Sequence, residues 1–283
     1  MPATSSLYRK LRRGAARLRG RLTPLWPLQR KAPALPERAP RRRLELPMQP
    51  NRIYAVGDIH GCVDKLRALE AAIIADCVGF TGSRLIVYLG DYIDRGADSA
   101  AVIDHLLSEP PKGFSRICLC GNHEEVFVDL LDGRISTSEW LQLGGDDTLL
   151  SYGFDIQYMS RHRRLSEVEL VAEIVATIPE AHQAFLRGLP ASFATLEQIF
   201  VHAGLRPGRS LADQAERDLL WIRKAFLEAV APEFGRLVVH GHTPAEKPFV
   251  SDIRVNVDTG AYLGGPLTAV RIEQGRLGFL STA

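Results

Sequence analysis

Cysteine is scarce in this sequence, with four residues in 283, and their spacing excludes two common uses. None of them forms a C-x-x-C pair, so neither a zinc finger nor a disulfide framework is expected. We interpret the thiols as reduced, which is typical of cytoplasmic proteins. The four residues are Cys62, Cys77, Cys118 and Cys120.

Long apolar runs are also absent. No stretch approaches the roughly 20 apolar residues of a membrane-spanning helix, and the first residues lack the apolar core, about 7–15 residues long, of a secretory signal. The composition is otherwise ordinary, with 46% hydrophobic and 24% charged residues. The chain as a whole is therefore expected to fold, as one large domain or two small ones.

The net charge of +2 conceals an uneven distribution of charge along the chain. Residues 1–48 contain 13 Lys and Arg against 2 Asp and Glu, whereas the remainder contains 22 basic and 31 acidic residues. The first segment is also rich in proline, which favours an extended linker. We predict a basic arm and linker over residues 1–48, followed by one folded domain over residues 49–283.

The arm permits two interpretations. Apolar residues recur every three or four positions with arginines between them, a pattern that can lie on an anionic membrane surface or contact another anionic partner. Gly14 and Gly20 weaken such a helix by about 1 kcal/mol each relative to alanine, and the simpler interpretation is a flexible, solvated tail. Specific nucleic-acid binding is not expected. The apolar residues of the pattern are Leu7, Leu11, Ala15, Leu18, Leu22 and Leu25.

After residue 50, short apolar segments alternate with helical patterns. These segments are too short for helices and end in clusters of Gly, His or Asp, so we predict strands. The alternation indicates an α/β fold in layers. The predicted strands are 53–56, 85–89, 117–120, 199–201 and 237–239, with a hairpin of 268–272 and 277–280. The predicted helices are 63–78, 98–108, 124–132, 137–151, 165–188 and 211–231.

Polar motifs follow five of the predicted strands. Burying Asp, His and Asn at the ends of core strands costs several kcal/mol unless a partner or a metal ion satisfies them. Because ligands bind at the carboxyl ends of strands in open α/β sheets, we expect the motifs to converge on one metal site. The motifs are GDIHG at 57–61, GDYIDRG at 90–96, GNHE at 121–124, HAG at 202–204 and GHT at 241–243, and a sixth, NVDTG at 256–260, is weaker.

The candidate ligands indicate the kind of metal. Residues two apart in an extended chain point to the same side, so Asp58 and His60 can bind one ion. Two carboxylates, an amide oxygen and three imidazoles suit Mn²⁺, with Fe or Zn²⁺ as alternatives. This set is too large for one catalytic ion but suits two ions about 3.5–4 Å apart with a bridging carboxylate. The ligands are Asp58, His60, Asp91, Asn122, His202 and His242.

The five motifs, in this order, resemble those of the phosphoprotein phosphatases within the calcineurin-like metallophosphoesterases, over about residues 53–262. The resemblance implies an α/β fold in which two mixed β-sheets form a sandwich flanked by helices. It implies that Asp58 and His60 bind one metal ion and that Asp91 bridges two. The second ion would be bound by Asn122, His202 and His242.

The same resemblance assigns the remaining catalytic residues. It implies that His123 is the general acid, that Asp94 orients it, and that Arg95 binds phosphoryl oxygens. Arg223 resembles a second phosphate-binding arginine, with a surface arginine on an ordinary helix as the alternative. The implied reaction is hydrolysis of a phosphomonoester by a hydroxide that the two metal ions activate.

Histidines of the predicted helices and loops are expected at the surface: His105, His162 and His182.

Two functions are compatible with these motifs, and a third is disfavoured by them. A Ser/Thr protein phosphatase acting on a phosphorylated protein or peptide ranks first, because the second motif is complete and the third ends in Glu124. The alternative is a symmetrical hydrolase of diadenosine tetraphosphate, or a hydrolase of another small phosphoester within the same superfamily. A catalytically inactive binding module, with the basic arm as its working part, conflicts with the complete set of ligands.

Overall fold

The computed structural model describes residues 38–229 and 234–283, all of which belong to one compact unit that begins at Arg38. The amphipathic pattern predicted for the arm lies outside these residues. No helix within the described ranges is long and apolar enough to cross a membrane.

Strands and helices alternate along the described chain. The strands are β1 (Arg43–Glu45), β2 (Arg52–Val56), β3 (Arg84–Tyr88), β4 (Phe114–Cys118), β5 (Ser192–Ala194), β6 (Gln198–Val201), β7 (Leu237–His240), β8 (Phe249–Val250), β9 (Arg254–Asn256), β10 (Thr268–Glu273) and β11 (Arg276–Ser281). The helices are α1 (Val63–Asp76), α2 (Ser99–Leu107), α3 (Asn122–Leu131), α4 (Thr137–Leu141), α5 (Gly145–Ser151), α6 (Ile156–His162), α7 (Glu167–Thr177), α8 (Glu180–Gly188), α9 (Glu216–Trp221) and α10 (Lys224–Leu227).

The strands form two mixed sheets, which confirms the predicted fold class. One sheet has the order β1-β5-β6-β7-β9-β8 and the other β11-β10-β2-β3-β4. In the first, β6, β7 and β9 are parallel neighbours. In the second, β2, β3 and β4 are parallel neighbours. Each sheet therefore contributes three parallel strands whose carboxyl ends lie at the same edge.

A sandwich core lies between the sheets, and helices cover their outer faces. Because successive side chains of a strand point to opposite sides, Ile53 and Ala55 of β2 contribute to the core between the sheets. Tyr54 and Val56 of the same strand pack on the helical side. This alternation explains why every residue of β2 is buried. Buried on both faces, the central strands hold the edge of the sandwich rigid.

Three of the predicted helices are divided in the structure, and the one predicted over 211–231 contains only the short helices α9 and α10. The helix predicted over 137–151 ends before Gly144, whose φ of +93° belongs to the left-handed region that favours glycine. The helix predicted over 165–188 is interrupted at Pro179, which lies between α7 and α8 and lacks the N–H that a continuous helix needs. Four short strands, β1, β5, β8 and β9, were not predicted.

Part of the predicted arm also differs from expectation. Arg43–Glu45 pairs in parallel with Ser192–Ala194 at the end of the first sheet. Arg38 forms ion pairs with Glu125, Asp129 and Glu216. The arginines of residues 38–48 therefore contact the acidic body, and the boundary predicted at residue 48 is displaced.

Candidate metal centre

The predicted motifs meet at one edge of the sandwich. Each motif begins within three residues after β2, β3, β4, β6 or β7, so the turns from both sheets face one another. The candidate ligands in these turns are no more than 5% exposed. The structure thus brings together polar side chains that are far apart in the sequence.

Asp91 is the residue that two groups of candidate ligands share. One group contains His60, Asp91 and His123, and the other contains Asp91, His202 and His242. His60 Nε2 lies 3.4 Å from Asp91 Oδ2, and His202 Nε2 lies 3.4 Å from Asp91 Oδ1. Each carboxylate oxygen thus faces a different group. This geometry suits the bridging role predicted for Asp91.

Hydrogen bonds direct one ring nitrogen of His60 and one of His202 toward the centre. His60 Nδ1 donates to the carbonyl of Ile93 at 2.8 Å, and His202 Nδ1 donates to the carbonyl of Leu89 at 3.0 Å. Such bonds fix the tautomer that leaves Nε2 free to bind a metal ion. Within the same space, His202 Nε2 lies 2.9 Å from Asn122 Oδ1 and 3.1 Å from His242 Nδ1. These three atoms are of the kinds that bind metal cations.

Asp58 and Asp258 are only partly compensated by the protein. Asp258 Oδ2 is buried without a hydrogen-bond partner among the described residues. Burial and the neighbouring Asp258 carboxylate raise the pKa of Asp58 well above its usual range. Burial opposes a charge on His202, but Asp91 and Asp58 outweigh it and raise the pKa of His202 to about 9. The buried oxygen and nitrogen atoms of these side chains therefore suit the binding of one or more cations.

His123 has a different environment from the other imidazoles. Its Nδ1 lies 2.8 Å from Asp94 Oδ2, while its Nε2 points toward Asp91 Oδ2 at 3.8 Å. Trp140 Nε1 donates to Asp94 Oδ2 at 3.2 Å, and Thr148 Oγ1 donates to Asp94 Oδ1 at 2.7 Å. Burial opposes the charged form, but Asp91 and Asp94 raise the pKa of His123. A protonated imidazole can donate a proton and cannot bind a metal ion through that nitrogen.

The two predicted arginines lie near different histidines of the centre. Arg95 Nη1 donates to His60 Nε2 at 3.1 Å, and its guanidinium lies 4.6 Å from the centre of the Tyr262 ring. Arg223 is exposed and precedes α10. Burial, together with the neighbouring charges of His202 and Arg223, lowers the pKa of His242, so Arg223 lies near enough to the centre to influence it.

The backbone of the centre is tightly constrained. A Cβ atom at Gly241 would lie 2.1 Å from Asp58 Oδ1, and one at Gly121 would lie 2.2 Å from Asp91 Oδ1. The Glu124 carboxylate accepts hydrogen bonds from the backbone N–H groups of Asp91, Tyr92 and Gly121. Non-glycine residues with positive φ, a costly conformation found at functional sites, concentrate here: His60, Asp91, Asp94, Arg95 and His242.

The structure brings the predicted ligands together, and it also contains supporting residues that the sequence did not predict. Asp58 belongs to neither group of three ligands, although its carboxylate accepts a hydrogen bond from the His242 N–H. The surface position expected for His182 is wrong, because it is 5% exposed and bonded to Asp104 and Tyr152. The sequence did not predict that Asp258, Trp140 and Thr148 contact or neighbour residues of the centre, or that the Glu124 carboxylate binds its backbone N–H groups. Only the NVDTG motif signalled one of them, Asp258.

Comparisons with known proteins agree with this geometry. A family profile described as calcineurin-like phosphoesterase matches residues 51–264. A bis(5'-nucleosyl)-tetraphosphatase PrpE (asymmetrical) of Halalkalibacterium halodurans is 26% identical, covering 77% of this chain and 89% of the relative. A serine/threonine-protein phosphatase 1 of Salmonella typhimurium is 28% identical, covering 78% and 92%.

The fold has solved counterparts as well. The crystal structure of a candidate diadenosine tetraphosphatase aligns with a TM-score of 0.59 and 20% identity, covering 86% of this chain and 99% of the other. At this identity the likeness concerns the fold alone. The family profile spans most of the chain and includes all the candidate ligands. The chain therefore belongs to the calcineurin-like phosphoesterase family, as a metal-dependent hydrolase of phosphoesters.

Proposed function

We propose that this chain hydrolyses dinucleoside polyphosphates, with diadenosine tetraphosphate as the representative substrate. The observation that carries the proposal is the similarity, over 77% of the chain, to a bis(5'-nucleosyl)-tetraphosphatase. Sequence analysis ranked a Ser/Thr protein phosphatase first, and the comparisons support its alternative better. Asymmetrical cleavage, as in the name of that relative, would release a nucleoside monophosphate and a nucleoside triphosphate.

The proposed centre requires cations that its residues can hold. One ion would be held by Asp58, His60 and Asp91, and a second by Asp91 and the remaining ligands: Asn122, His202 and His242. We expect Mn²⁺, with Fe or Zn²⁺ as alternatives. Two such ions, when bound, supply an activated water molecule and neutralise charge on the phosphate oxygens.

His123 has the contacts of a general acid. Asp94 accepts the hydrogen bond from Nδ1, so the proton on Nε2 faces the space beside Asp91. Trp140 and Thr148 fix the Asp94 carboxylate and thereby the orientation of the imidazole. In this proposal His123 gives its Nε2 proton to the leaving oxygen. A polyphosphate leaving group is less basic than the alkoxide of serine, so it depends less on this proton.

The arginines account for recognition of the phosphate that reacts. Arg95 is held against Tyr262 and His60, and no other partner of its guanidinium is found among the described residues, so an anion can bind there. Planar guanidinium groups bind two phosphate oxygens at once. Arg223, near His242, is the second predicted contact. Both residues therefore act on the reacting phosphate, whatever molecule carries it.

The test compares two substrates on one preparation. Metal-stripped protein is supplied with Mn²⁺ and assayed with diadenosine tetraphosphate and with a phosphoserine peptide, and the products are separated by anion exchange. We expect the higher kcat/KM for the dinucleotide, with AMP and ATP as products. A higher kcat/KM for the phosphopeptide would contradict the proposal, and formation of two ADP molecules would contradict asymmetrical cleavage.

A Ser/Thr protein phosphatase is the second candidate. The specific observation in its favour is the 28% identity to the Salmonella typhimurium enzyme over 78% of this chain. The residues of the metal centre serve either substrate. The two functions differ in the leaving group, which must be accommodated outside that centre.

A further inference from the structure

A large cavity opens beside the metal centre, bordered by α3, α9 and α10. Its volume is about 1080 Å³, above the range of roughly 300–1,000 Å³ for most small-molecule sites. Trp221 forms the wall nearest the centre, and its ring lies 6.3 Å from the ring of His242. Arg223 also lines the cavity. A ligand could therefore occupy the cavity while its phosphate reaches the catalytic residues.

The carboxylates in the walls are each paired with an arginine. Glu125 and Asp129 form ion pairs with Arg38, and Asp218 forms a bidentate ion pair with Arg206. These acidic groups therefore do not repel a phosphate as free carboxylates would. Their pairing also fixes the positions of the side chains around the cavity before a ligand arrives.

Two cationic groups of the lining remain available. Arg217 and Arg223 are exposed, and neither guanidinium has a hydrogen-bond or ion-pair partner among residues 38–229 and 234–283. Arg217 lies on α9, four residues before Trp221. It is therefore one helical turn from the wall at the metal centre. An anion longer than one phosphate could contact both arginines.

The same cavity has an apolar side. Val126, Ile135, Ile222 and Trp221 contribute to its lining. Glu125 accepts a hydrogen bond from Trp221 Nε1 at 2.6 Å and is itself bonded to Arg38, so the indole is fixed in place. A rigid indole edge next to aliphatic side chains offers a surface for a planar apolar group such as a nucleobase.

We propose that this cavity binds the leaving nucleoside polyphosphate, with Arg217 on its phosphates and Trp221 beside its nucleoside. The inference rests on the proposed function, which supplies a leaving group that is both polyanionic and aromatic. A phosphoserine peptide leaves as a hydroxyl and carries no second phosphate for Arg217. The arrangement therefore favours a dinucleotide substrate over a phosphopeptide through residues outside the metal centre.

The experiment uses Arg217→Gln in the full-length, Mn²⁺-loaded protein. We expect KM for diadenosine tetraphosphate to rise about tenfold with little change in kcat, since one charge-assisted contact to phosphate is lost. KM for p-nitrophenyl phosphate, whose leaving group has no phosphate, should stay unchanged. Arg161→Gln, an exposed arginine on α6 that does not line the cavity, is the matched control and should change neither value.

Competition by ATP separates this inference from the proposed function. ATP should inhibit hydrolysis of p-nitrophenyl phosphate, and Arg217→Gln should raise its inhibition constant about tenfold. Failure of the wild-type protein to cleave diadenosine tetraphosphate, with ATP inhibition still sensitive to Arg217, would refute the proposed function alone. Cleavage of the dinucleotide with the same KM and the same ATP inhibition in Arg217→Gln would overturn the assignment of the cavity. Circular dichroism and thermal unfolding confirm that each variant is folded.

Discussion

Two groups of buried carboxylates differ in how many partners they have. The group around Glu70 lies on the helical side of the second sheet, and the group of Asp58 and Asp258 lies at the edge of the sandwich. At the first, Glu70 accepts hydrogen bonds on both oxygens from Tyr88, Arg116 and His105. At the second, Asp58 lies near Asp258, whose Oδ2 lacks any partner in the described chain. Burial is similar in both clusters, so burial alone does not distinguish them.

The difference lies in what compensates the charge. Burial opposes ionisation of Glu70, but its hydrogen bonds to His105 and Tyr88 keep its pKa below the usual range. Burial and Asp258 instead raise the pKa of Asp58. A buried carboxylate that is paired stabilises the native state, whereas one beside a like charge costs free energy until a cation binds. The first cluster is structural, and the second has the electrostatics of a metal site.

The largest effect should come from Asp91→Asn. The variant removes the carboxylate charge that both groups of ligands share, so we expect loss of the paired metal site. Because metal ions contribute several kcal/mol to the stabilisation of a phosphoryl transition state, turnover should fall on the order of 10⁴-fold. Metal content after gel filtration and steady-state rates provide the measurement. Two tightly bound ions with normal turnover would contradict the bridging role.

His123→Asn should separate catalysis from metal binding. We expect turnover of a phosphoserine peptide to fall by about 10²–10⁴-fold, as for loss of a general acid, while metal content stays unchanged. The loss for diadenosine tetraphosphate should be smaller, because its leaving group is less basic. His162→Asn, an exposed histidine on α6, is the control. Loss of metal from His123→Asn would make this histidine a ligand instead.

Asp258→Asn tests whether the carboxylate without a partner acts on the cations. We expect metal affinity to fall by about 10–100-fold, the usual effect of losing a group that supports metal ligands. Competition with a chromogenic chelator measures this affinity without any turnover. Asp252→Asn alters an exposed carboxylate in the same segment and should leave the affinity unchanged. Equal affinities in the two variants would mean that Asp258 has no influence on the cations.

The same chemical change in the two clusters should have opposite effects on the metal-free protein. Glu70→Gln should lower the free energy of unfolding by about 1–3 kcal/mol, because buried donors lose their acceptor. Asp58→Asn should leave it unchanged or higher, because a repulsion is removed. Urea unfolding with chelator present measures both. Destabilisation of equal size in both variants would remove the distinction between the clusters.

The pH dependence of unfolding gives a second measure of the Glu70 cluster. The pKa of Glu70 is lower in the folded protein than its ordinary value of 4.5. Its contribution to stability is therefore present above pH 4.5 and is lost as pH falls toward the lowered pKa. Wild-type protein should lose this contribution over that range, and Glu70→Gln should not.

The smallest effects should come from shortening the chain. Removal of residues 2–37 should leave hydrolysis of p-nitrophenyl phosphate nearly unchanged, since the compact unit begins at Arg38. Removal of residues 2–48 should cost roughly 1–3 kcal/mol of stability, because the ion pairs of Arg38 and the strand Arg43–Glu45 are lost. Thermal unfolding distinguishes the two truncations. Equal melting temperatures would mean that residues 38–48 do not contribute to the folded body.

Much of the fold was predictable because the central strands are buried on both faces. Residues 53–56 and 85–89 form continuous apolar runs, and the structure has strands at nearly the same positions. β8 and β9, with two and three residues, are too short for periodicity to detect. The arginines of residues 38–48 concealed β1, because a strand at the end of a sheet tolerates exposed charges.

The site was predictable to the extent that its residues lie within contiguous motifs. Asp91 and His202 follow strands directly, so their position at the sheet edge could be inferred from the sequence. Trp140 and Thr148 contact Asp94 only because α4 and α5 fold back over it. Such contacts depend on how helices pack, and no local pattern encodes them. The partners of a catalytic residue are therefore harder to predict than the residue itself.

The backbone conformation of the metal centre has a consequence for how this protein can change. His60, Asp91 and His242 have positive φ, and the turns around them leave no room for a methyl group at Gly121 or Gly241. Libraries that randomise these turns should yield almost entirely inactive variants. New substrate preferences are accessible instead through exposed positions such as Arg217. A mutation there alters the proposed contacts with the substrate and leaves the metal ligands unchanged.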